Sequence, residues 1–516
     1  MSRLPSPVKN LTDGQTAYVL GSLFLAGAST LVLEIVGTRV ISPYYGASLY
    51  CWSALITVTL IALACGYGAG GRWADKSPYL TLFARLLCLA GLSVALIPGL
   101  RMLVLQKTTP LGIQAGALAS ALLLIAPALF LLSALGPLAI KLRTEMMASI
   151  GKSAGDTYAV STLGSVVGAA LAGFVLIPMM PISQLLLGLA CLLFLMGSIG
   201  YYLSRERAAL TRLAAAGAAA AALLAFWPSA GTRMMITKES AYGQIKIYDA
   251  NSHRYLLVDG TAQSMAEIGT WEDRSQYAQG MEWAALNAGG AKRALVVGLG
   301  AGLLSGALER HYNLTTDTVE VDPEIVAAAR KYFNYKPRGD VFIEDGRTFL
   351  ERTERRYGLI FLDAFGAELA PYHLFTQESF ASMRARLDDS GVLAINLVTL
   401  VEGPGGAAWR SAYKTLKTVF PEVRVFVASD RMAGLANVVF FCSSAPLDEG
   451  ALKRARPDIR ENLAFMLAHE LKPKPGELDE AVLLTDDHAP MEYLLADGAA
   501  RWRRALQKEA QSTLLY

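Results

Sequence analysis

Residues 294–302 read Ala-Leu-Val-Val-Gly-Leu-Gly-Ala-Gly, an apolar run that ends in alternate glycines. The run indicates a buried strand that turns sharply into a helix. Because Gly298, Gly300 and Gly302 have no Cβ, the backbone there can turn tightly and approach a nucleotide-like ligand at the helix N-terminus. A glycine-rich strand end is also typical of a plain tight turn, so the loop alone does not establish a ligand site.

The sequence beyond the loop favours a ligand site over a plain tight turn. A second apolar strand is expected at 318–321, and it carries Glu320. A carboxylate about 20 residues after such a loop is the usual partner of paired ribose hydroxyls. The two features together predict a nucleoside site.

Composition indicates that part of the chain lies in lipid. The chain has 516 residues, of which 53% are hydrophobic and 18% charged. It is too long for one ordinary core and too apolar for an entirely soluble enzyme. The net charge is only +3, with basic residues in short clusters between apolar runs, so we expect no nucleic-acid partner. Its five cysteines and five histidines are scattered without metal-ligand spacing, so we predict no metal.

Residues 1–230 are predicted to form a multi-pass transmembrane domain of about seven helices that contacts membrane lipid. The apolar runs are Thr16–Gly37, Leu49–Gly71, Leu80–Leu103, Gly112–Leu138, Tyr158–Met179, Ile182–Tyr202 and Ala208–Phe226. Within the fifth run, Gly164 and Gly168 form a small-residue face suited to close helix packing.

The distribution of basic residues predicts a cytoplasmic N-terminus. An odd number of spans would then place the C-terminal half outside the cytoplasm, where nucleoside donors are scarce. Three readings resolve this: one run does not cross, with the alanine-rich Ala208–Phe226 the weakest; a long run hides a re-entrant pair; or the soluble half is external. We favour a cytoplasmic soluble half attached to the cell (inner) membrane.

The C-terminal half reads as an α/β Rossmann-like domain of the S-adenosylmethionine-methyltransferase type. Residues 231–280 predict a small β-hairpin subdomain, and residues 281–516 the Rossmann-like domain with C-terminal helices. The expected strands lie near 294–297, 318–321, 341–343, 359–362, 392–396, 423–427 and 437–441. Alternation with helices implies a mainly parallel sheet with its ligand at the carboxyl ends of the strands.

Two further carboxylates follow strands of this sheet. Asp345, next to Gly346, is placed to accept a hydrogen bond from an adenine amino group; a cap of the helix that follows is the alternative reading. Asp363 ends the next strand, where a carboxylate can take a proton from an amine nucleophile. A solvated turn residue is the alternative reading for Asp363.

From about residue 240 to 398, the chain resembles the spermidine synthase (polyamine aminopropyltransferase) family, and its membrane half is similar to that of membrane-fused bacterial members. The shared motifs are 240–244, 257–260 with Gln263, Tyr277, 297–302, 319–322, Asp345-Gly346 and Leu362-Asp363. The resemblance implies polyamine biosynthesis: transfer of an aminopropyl group from decarboxylated S-adenosylmethionine to a small-molecule amine acceptor, leaving methylthioadenosine. It also implies a homo-oligomer.

The resemblance assigns roles residue by residue. Gln244 and Glu320 would hold the nucleoside with the glycine loop, and Asp345 with Gly346 the adenine. Asp363 would be the base, and Tyr277 would orient the amine, although core packing explains this tyrosine equally well. The candidate acceptor-binding residues are Gln263, Gln279, Asp486 and Asp487.

The departures from the family matter as much as the matches. The family's loop usually has an aspartate where Ala301 stands, and acids where Gln279 and Gly366 stand. Asp486 and Asp487 would compensate only if they entered the site; helix capping is their alternative role. Intact S-adenosylmethionine, used by a methyltransferase or a cleaving enzyme on this fold, is therefore a second hypothesis. A polyamine transporter or sensor with a nucleoside-binding domain is the third.

Overall fold

The computed structural model describes residues 11–45, 49–76, 79–143, 150–204, 234–365, 370–430, 434–498 and 501. The chain divides into two compact units, Met1–Gly231 and Thr232–Tyr516. Each unit is described by itself.

The first unit is helical. Its helices are α1 (Asp13–Tyr45), α2 (Leu49–Lys76), α3 (Leu80–Thr108), α4 (Gly112–Leu124), α5 (Ala126–Arg143), α6 (Ile150–Leu171) and α7 (Ile182–Leu203). Beyond α6 the chain continues through a π turn, Ala172–Leu176, and a last helical turn, Ile177–Met179. Among the described residues, six helices are long and apolar enough to cross a membrane: all of these except α4.

The membrane prediction needs one correction. The apolar run 112–138 is not one helix, because the chain breaks between α4 and α5 at Ile125. Pro127 follows at once, and its missing N–H removes a helical hydrogen bond. The seventh predicted span, Ala208–Phe226, lies outside the described residues.

Close packing joins α1 to α6. A Cβ built on Gly164 would lie 2.0 Å from the carbonyl oxygen of Phe24, and one on Gly168 would lie 2.5 Å from that of Ala28. Only glycine allows the two backbones to approach so closely, which is the close packing that the spacing of these glycines predicts.

The second unit begins with a four-stranded antiparallel sheet, whose two central strands form the expected hairpin. Its strands, in order, are β1 (Met234–Glu239), β2 (Gln244–Ala250), β3 (His253–Val258) and β4 (Thr261–Glu267). Two short helices follow, α8 (Gln276–Met281) and α9 (Trp283–Asn287).

The seven-stranded sheet comes next. Its strands are β5 (Arg293–Val297), β6 (Thr315–Glu320), β7 (Val341–Ile343), β8 (Tyr357–Leu362), β9 (Leu387–Leu400), β10 (Glu422–Val427) and β11 (Leu435–Ser443). The helices are α10 (Leu303–Tyr312), α11 (Pro323–Tyr332), α12 (Gly346–Arg352), α13 (Gln377–Ala385), α14 (Ala407–Val419) and α15 (Arg460–Ala468). These strands fall where the apolar runs predict them, which confirms the Rossmann-like fold.

Strand order creates the ligand crevice. The order is β10-β11-β9-β8-β5-β6-β7, and the ladders from β9 to β7 are parallel. The chain runs outward from β5 to β7 and then returns to the other side of β5 as β8. The carboxyl ends of β5 and β8 therefore flank the switch point, where open α/β sheets bind ligands.

The sheet is buried on both faces. Leu295 and Leu362 pack into one apolar cluster, whereas their strand neighbours Val296 and Phe361 pack into another on the opposite side. Successive side chains on a strand point to opposite faces, so a strand covered on both sides must be apolar throughout. The core thus fixes the strand ends that carry the polar residues of the site.

Candidate active site

A cavity of about 380 Å³ lies at the carboxyl ends of the parallel strands. Ligand pockets are typically roughly 300–1,000 Å³ in volume, so this one suits a nucleoside-sized molecule. Among the residues that line it are Gln263, Tyr277, Gly298, Gly300, Glu320, Asp345, Gly346 and Asp363. The structure brings these eight predicted site residues together.

The glycine loop forms one wall of the cavity. Gly298 has φ of +93°, and a Cβ there would lie 2.4 Å from the carbonyl oxygen of Asp363. Glycine at this position therefore lets the end of β5 lie directly against the end of β8. Gly302 also has a positive φ, but it begins α10 against the ring of Tyr335 and is not among the residues lining the cavity.

Glu320, at the end of β6, anchors the loop. Its Oε2 accepts a hydrogen bond from the backbone N–H of Leu299 at 3.0 Å, and its Oε1 accepts one from that of Asp322 at 2.9 Å. Burial raises the pKa of Glu320 despite these bonds. Each carboxylate oxygen has a second acceptor position, so Glu320 can hold the loop and still accept hydrogen bonds from a ligand's hydroxyls.

Asp345 caps a helix and also lines the cavity. Its Oδ1 caps α12 by accepting from the backbone N–H of Thr348 at 3.0 Å, and its Oδ2 lies 2.9 Å from Nε2 of His373. Burial alone would raise the pKa of Asp345, but the bonds from Thr348 and His373 outweigh it and the pKa is lowered. Asp345 also lines the cavity, so capping does not remove it from the site.

Asp363 follows β8 and is held by a chain of amides. Nδ2 of Asn396 donates to Oδ1 of Asp363 at 2.8 Å, and Nδ2 of Asn437 donates to Oδ1 of Asn396 at 3.1 Å. Burial raises the pKa of Asp363 to about 6, and the hydrogen bonds from Asn396 and Tyr277 limit that rise. Such a carboxylate is ionised at neutral pH and is a stronger base than an ordinary aspartate.

Tyr277, on α8, contacts Asp363 from the opposite side of the cavity. Burial, followed by the charges of Asp363 and Asp273, raises the pKa of Tyr277 well above its ordinary value. The phenol therefore stays protonated and is a hydrogen-bond donor at neutral pH. Its ring also packs against the apolar cluster beneath α8. Tyr277 therefore both contacts Asp363 and contributes to core packing.

Three polar residues of the site were missed in the sequence. Asp273 lines the cavity beside Tyr277, whereas Asn396 and Asn437 orient Asp363 from β9 and β11. An asparagine in an otherwise apolar buried strand, as at 396, is a usable signal because such a group needs a partner. Asp273, in a polar turn, gives no comparable signal.

Several predicted site residues lie elsewhere. The side-chain amide of Gln244 donates to Oε1 of Glu239 at 2.5 Å, and Gln244 is not among the cavity-lining residues. Gln279 is buried: its amide donates to the carbonyl oxygen of Asp273 at 3.1 Å and accepts from Asn462 at 2.7 Å. Because α8 turns Gln279 inward, away from the cavity, we no longer assign it to the acceptor pocket.

Asp486 and Asp487 do not enter the site either. Arg347 binds Asp486 through two hydrogen bonds of 2.5 and 2.6 Å. These bonds lower the pKa of Asp486 to about 2 and hold its carboxylate away from the cavity. Asp487 is exposed and is absent from the residues that line the cavity. Neither acid replaces the charges that the sequence lacks.

Ala301 has a structural reason to be apolar. Its side chain is 1% exposed and belongs to a cluster with Ile245, Leu256 and Phe333, between the antiparallel sheet and α11. A carboxylate at this position would lose hydration within apolar surroundings. The loop therefore packs the side chain of Ala301 into the core and presents no acid to the cavity at this position.

Within the part of the chain that the structure describes, no group of three or more histidine, cysteine, aspartate or glutamate side chains is arranged to hold a metal ion. The polar side chains that line the cavity are carboxylates, two phenols, one amide, the Ser264 hydroxyl and the His373 imidazole.

Comparison with known proteins assigns the domain. Residues 281–445 match the spermine/spermidine synthase domain. An N-terminal histidine N-methyltransferase of Emericella nidulans is 34% identical over 160 residues, which cover 30% of this chain and 28% of that protein. A probable polyamine aminopropyl transferase of Bifidobacterium longum is 25% identical over 320 residues, covering 56% of this chain and 70% of the relative.

Among solved structures, a probable spermidine synthase from Corynebacterium glutamicum aligns with a TM-score of 0.39 at 18% identity, covering 52% of this chain and 95% of that one. Through residues 281–445, the chain is therefore similar to the spermine/spermidine synthase domain, and over longer stretches it is similar to polyamine aminopropyltransferases.

Proposed function

We propose that this protein transfers an aminopropyl group from decarboxylated S-adenosylmethionine to a small amine acceptor and releases methylthioadenosine. The observation that supports it most is that Glu320, Asp345, Asp363 and Tyr277 line one cavity beside the glycine loop. The match to the spermine/spermidine synthase domain agrees with this chemistry.

The nucleoside would lie along the loop. Glu320 would accept hydrogen bonds from the ribose hydroxyls, since its oxygens keep free acceptor positions after binding the loop. Asp345 would accept from the adenine amino group while still capping α12. The sulfonium end of the donor would then face Asp363.

The reaction is a direct displacement that requires alignment and removal of one proton. Asp363 takes a proton from the acceptor's ammonium, and the freed nitrogen lone pair attacks the donor carbon next to sulfur. A C–N bond forms, the C–S bond breaks, and sulfur leaves with the bonding electrons as a neutral thioether. Tyr277 and Asn396 keep the carboxylate aimed at the amine.

We further propose that the soluble unit lies on the cytoplasmic side of the cell membrane. An even number of crossings, which the six long apolar helices of the described residues would make, returns the chain to the side on which it starts. With a cytoplasmic start, Arg72 and Lys76, Lys141 and Arg143, and Arg205 and Arg207 all fall on the cytoplasmic side.

Labelling tests this topology. A cysteine placed at the exposed Asp389 should react with a membrane-impermeant thiol reagent only after cells are opened. Labelling in intact cells would place the soluble unit outside.

Methyl transfer from intact S-adenosylmethionine is the second candidate. It is favoured by Ala301, which is packed in an apolar cluster where the family resemblance implies an acid for the donor's ammonium. The relative named as an N-methyltransferase points the same way.

A product assay separates the candidates. Purified full-length protein is incubated with each donor, with and without putrescine, and the products are identified by mass spectrometry. Equal amounts of methylthioadenosine and spermidine are expected from the decarboxylated donor. S-adenosylhomocysteine formed only from the intact donor would support methyl transfer instead. Nucleoside binding without any product would overturn both, and would leave a transporter or sensor.

A further inference from the structure

The cavity contains a second acid, partly buried, to which the family resemblance assigns no role. Asp273 follows the antiparallel sheet, pairs through its backbone with Ala266 of β4, and lies just before the helix that carries Tyr277. Asp273, Tyr277 and Asp363 all line the same cavity. The three polar groups thus surround one space at the reacting end of the proposed site.

The carboxylate of Asp273 is fixed on one side and open on the other. Oδ1 accepts from the backbone N–H of Ser275 at 2.8 Å and from its hydroxyl at 2.6 Å. For Oδ2, the described part of the chain shows no hydrogen bond. The neighbouring Arg274 does not neutralise Asp273, because its guanidinium binds Glu267 at 2.8 Å.

The negative charge in this space therefore has no countercharge. Within the described ranges, neither Asp273 nor Asp363 forms an ion pair, although both face the cavity. Burial, opposed by the hydrogen bonds from Ser275 and assisted by the charge of Asp363, raises the pKa of Asp273 to about 6. At neutral pH both carboxylates are largely ionised, and two partly buried anions without a cation are unfavourable. A bound cation would remove that cost.

We propose that Asp273 is an ammonium-binding residue of the acceptor pocket and selects acceptors that carry a second cationic nitrogen besides the one Asp363 deprotonates. This inference rests on the proposed function. It assigns to Asp273 the charge that is missing at Gln279, which α8 turns away from the cavity.

The test compares wild-type protein with Asp273→Asn, which removes the charge but retains an oxygen for Ser275. The acceptors are 1,4-diaminobutane and butylamine, which differ in one ammonium group. We expect Asp273→Asn to raise KM for the diamine by about 10- to 100-fold, with a much smaller change in kcat and in KM for butylamine. Asp389→Asn, the same change at an exposed site, should alter neither.

An equal diamine-to-monoamine preference in wild type and Asp273→Asn would overturn the inference. If no donor gives product, the proposed function fails. Calorimetry with 1,4-diaminobutane in the presence of methylthioadenosine then tests the ammonium site by itself. Diamine binding to wild type that is lost in Asp273→Asn supports the ammonium site, and binding to neither or to both equally contradicts it.

Discussion

Asn396 donates a hydrogen bond of 2.8 Å to the carboxylate of Asp363, and it can do so in only one amide orientation. Asn437 fixes that orientation, because its Nδ2 donates to the side-chain oxygen of Asn396 at 3.1 Å and leaves the Asn396 nitrogen facing Asp363. Residues on β9 and β11 thus aim a donor at the end of β8. The proposed base is oriented by the sheet itself.

This relationship predicts a pH effect. Asp363 must be ionised to accept a proton, so activity should rise with pH through the pKa of about 6. A hydrogen bond to the ionised form lowers a pKa, and its removal raises it. Asn396→Leu should therefore move the acidic limb of the kcat/KM profile upward by about one to two units. Asn287→Leu, outside the cavity, is the matched control. If the acidic limb does not move in Asn396→Leu, Asn396 does not set the pKa of the base.

Replacing the base should separate chemistry from binding. Asp363→Asn keeps the shape of the side chain but removes its ability to accept a proton. We expect kcat to fall by about 10²- to 10⁴-fold, while the Kd for methylthioadenosine, measured by calorimetry, changes little. Undiminished turnover would remove Asp363 from the mechanism.

Asp345 allows its two roles to be tested apart. Serine also caps helices, so Asp345→Ser should keep the melting temperature close to that of wild type, whereas Asp345→Ala should lower stability by about 1 kcal/mol. Both variants should bind methylthioadenosine more weakly, since each removes the carboxylate that faces the cavity. If Asp345→Ser binds the nucleoside as tightly as wild type does, Asp345 is only a helix cap.

The glycine loop gives a prediction about stability. Gly298→Ala forces a positive φ on alanine and places its Cβ 2.4 Å from the carbonyl oxygen of Asp363. Gly269 is a suitable control: its φ is +102°, but an added Cβ there meets nothing within 4 Å. Gly269→Ala should cost about 1–2 kcal/mol from backbone strain alone. Gly298→Ala should lower the melting temperature further, and equal losses would show that the strand ends adapt easily.

Helix packing in the membrane unit can be tested in the same way. Gly164→Leu should destabilise the full-length protein in detergent, because even a Cβ at this position would lie 2.0 Å from the backbone oxygen of Phe24. Gly173→Leu should have little effect, since a Cβ there meets no atom within 4 Å. Similar melting temperatures for the two variants would contradict the close α1–α6 contact.

The sheet could be predicted from the sequence because its strands are buried on both faces and read as apolar runs separated by turns. The acids at the strand ends follow from the same pattern: Glu320 ends β6, Asp345 lies two residues beyond β7, and Asp363 comes directly after β8. Parallel strands end at the same edge of a sheet, so these carboxylates converge on one crevice. Their roles in binding and catalysis stay predictions, as does a homo-oligomer.

The rest of the site depends on side-chain direction and on contacts between distant segments. Asn396 lies 33 residues from Asp363 in the sequence, and only the order of strands in the sheet brings the two together. Asp486 is a candidate acceptor-binding residue from the sequence, yet Arg347, 139 residues away, binds its carboxylate outside the cavity. Gln279 is near Tyr277 in sequence, but the helix directs the two side chains differently. None of these outcomes follows from local spacing.

The most direct test of the account is a structure of the full-length protein with methylthioadenosine. We predict the nucleoside in the cavity at the ends of β5 and β8, with its ribose hydroxyls bonded to Glu320, its adenine amino group at Asp345 and its thioether facing Asp363. A nucleoside bound elsewhere, or one whose sulfur points away from Asp363, would contradict the proposal that these acids act on one adenosine-bearing donor.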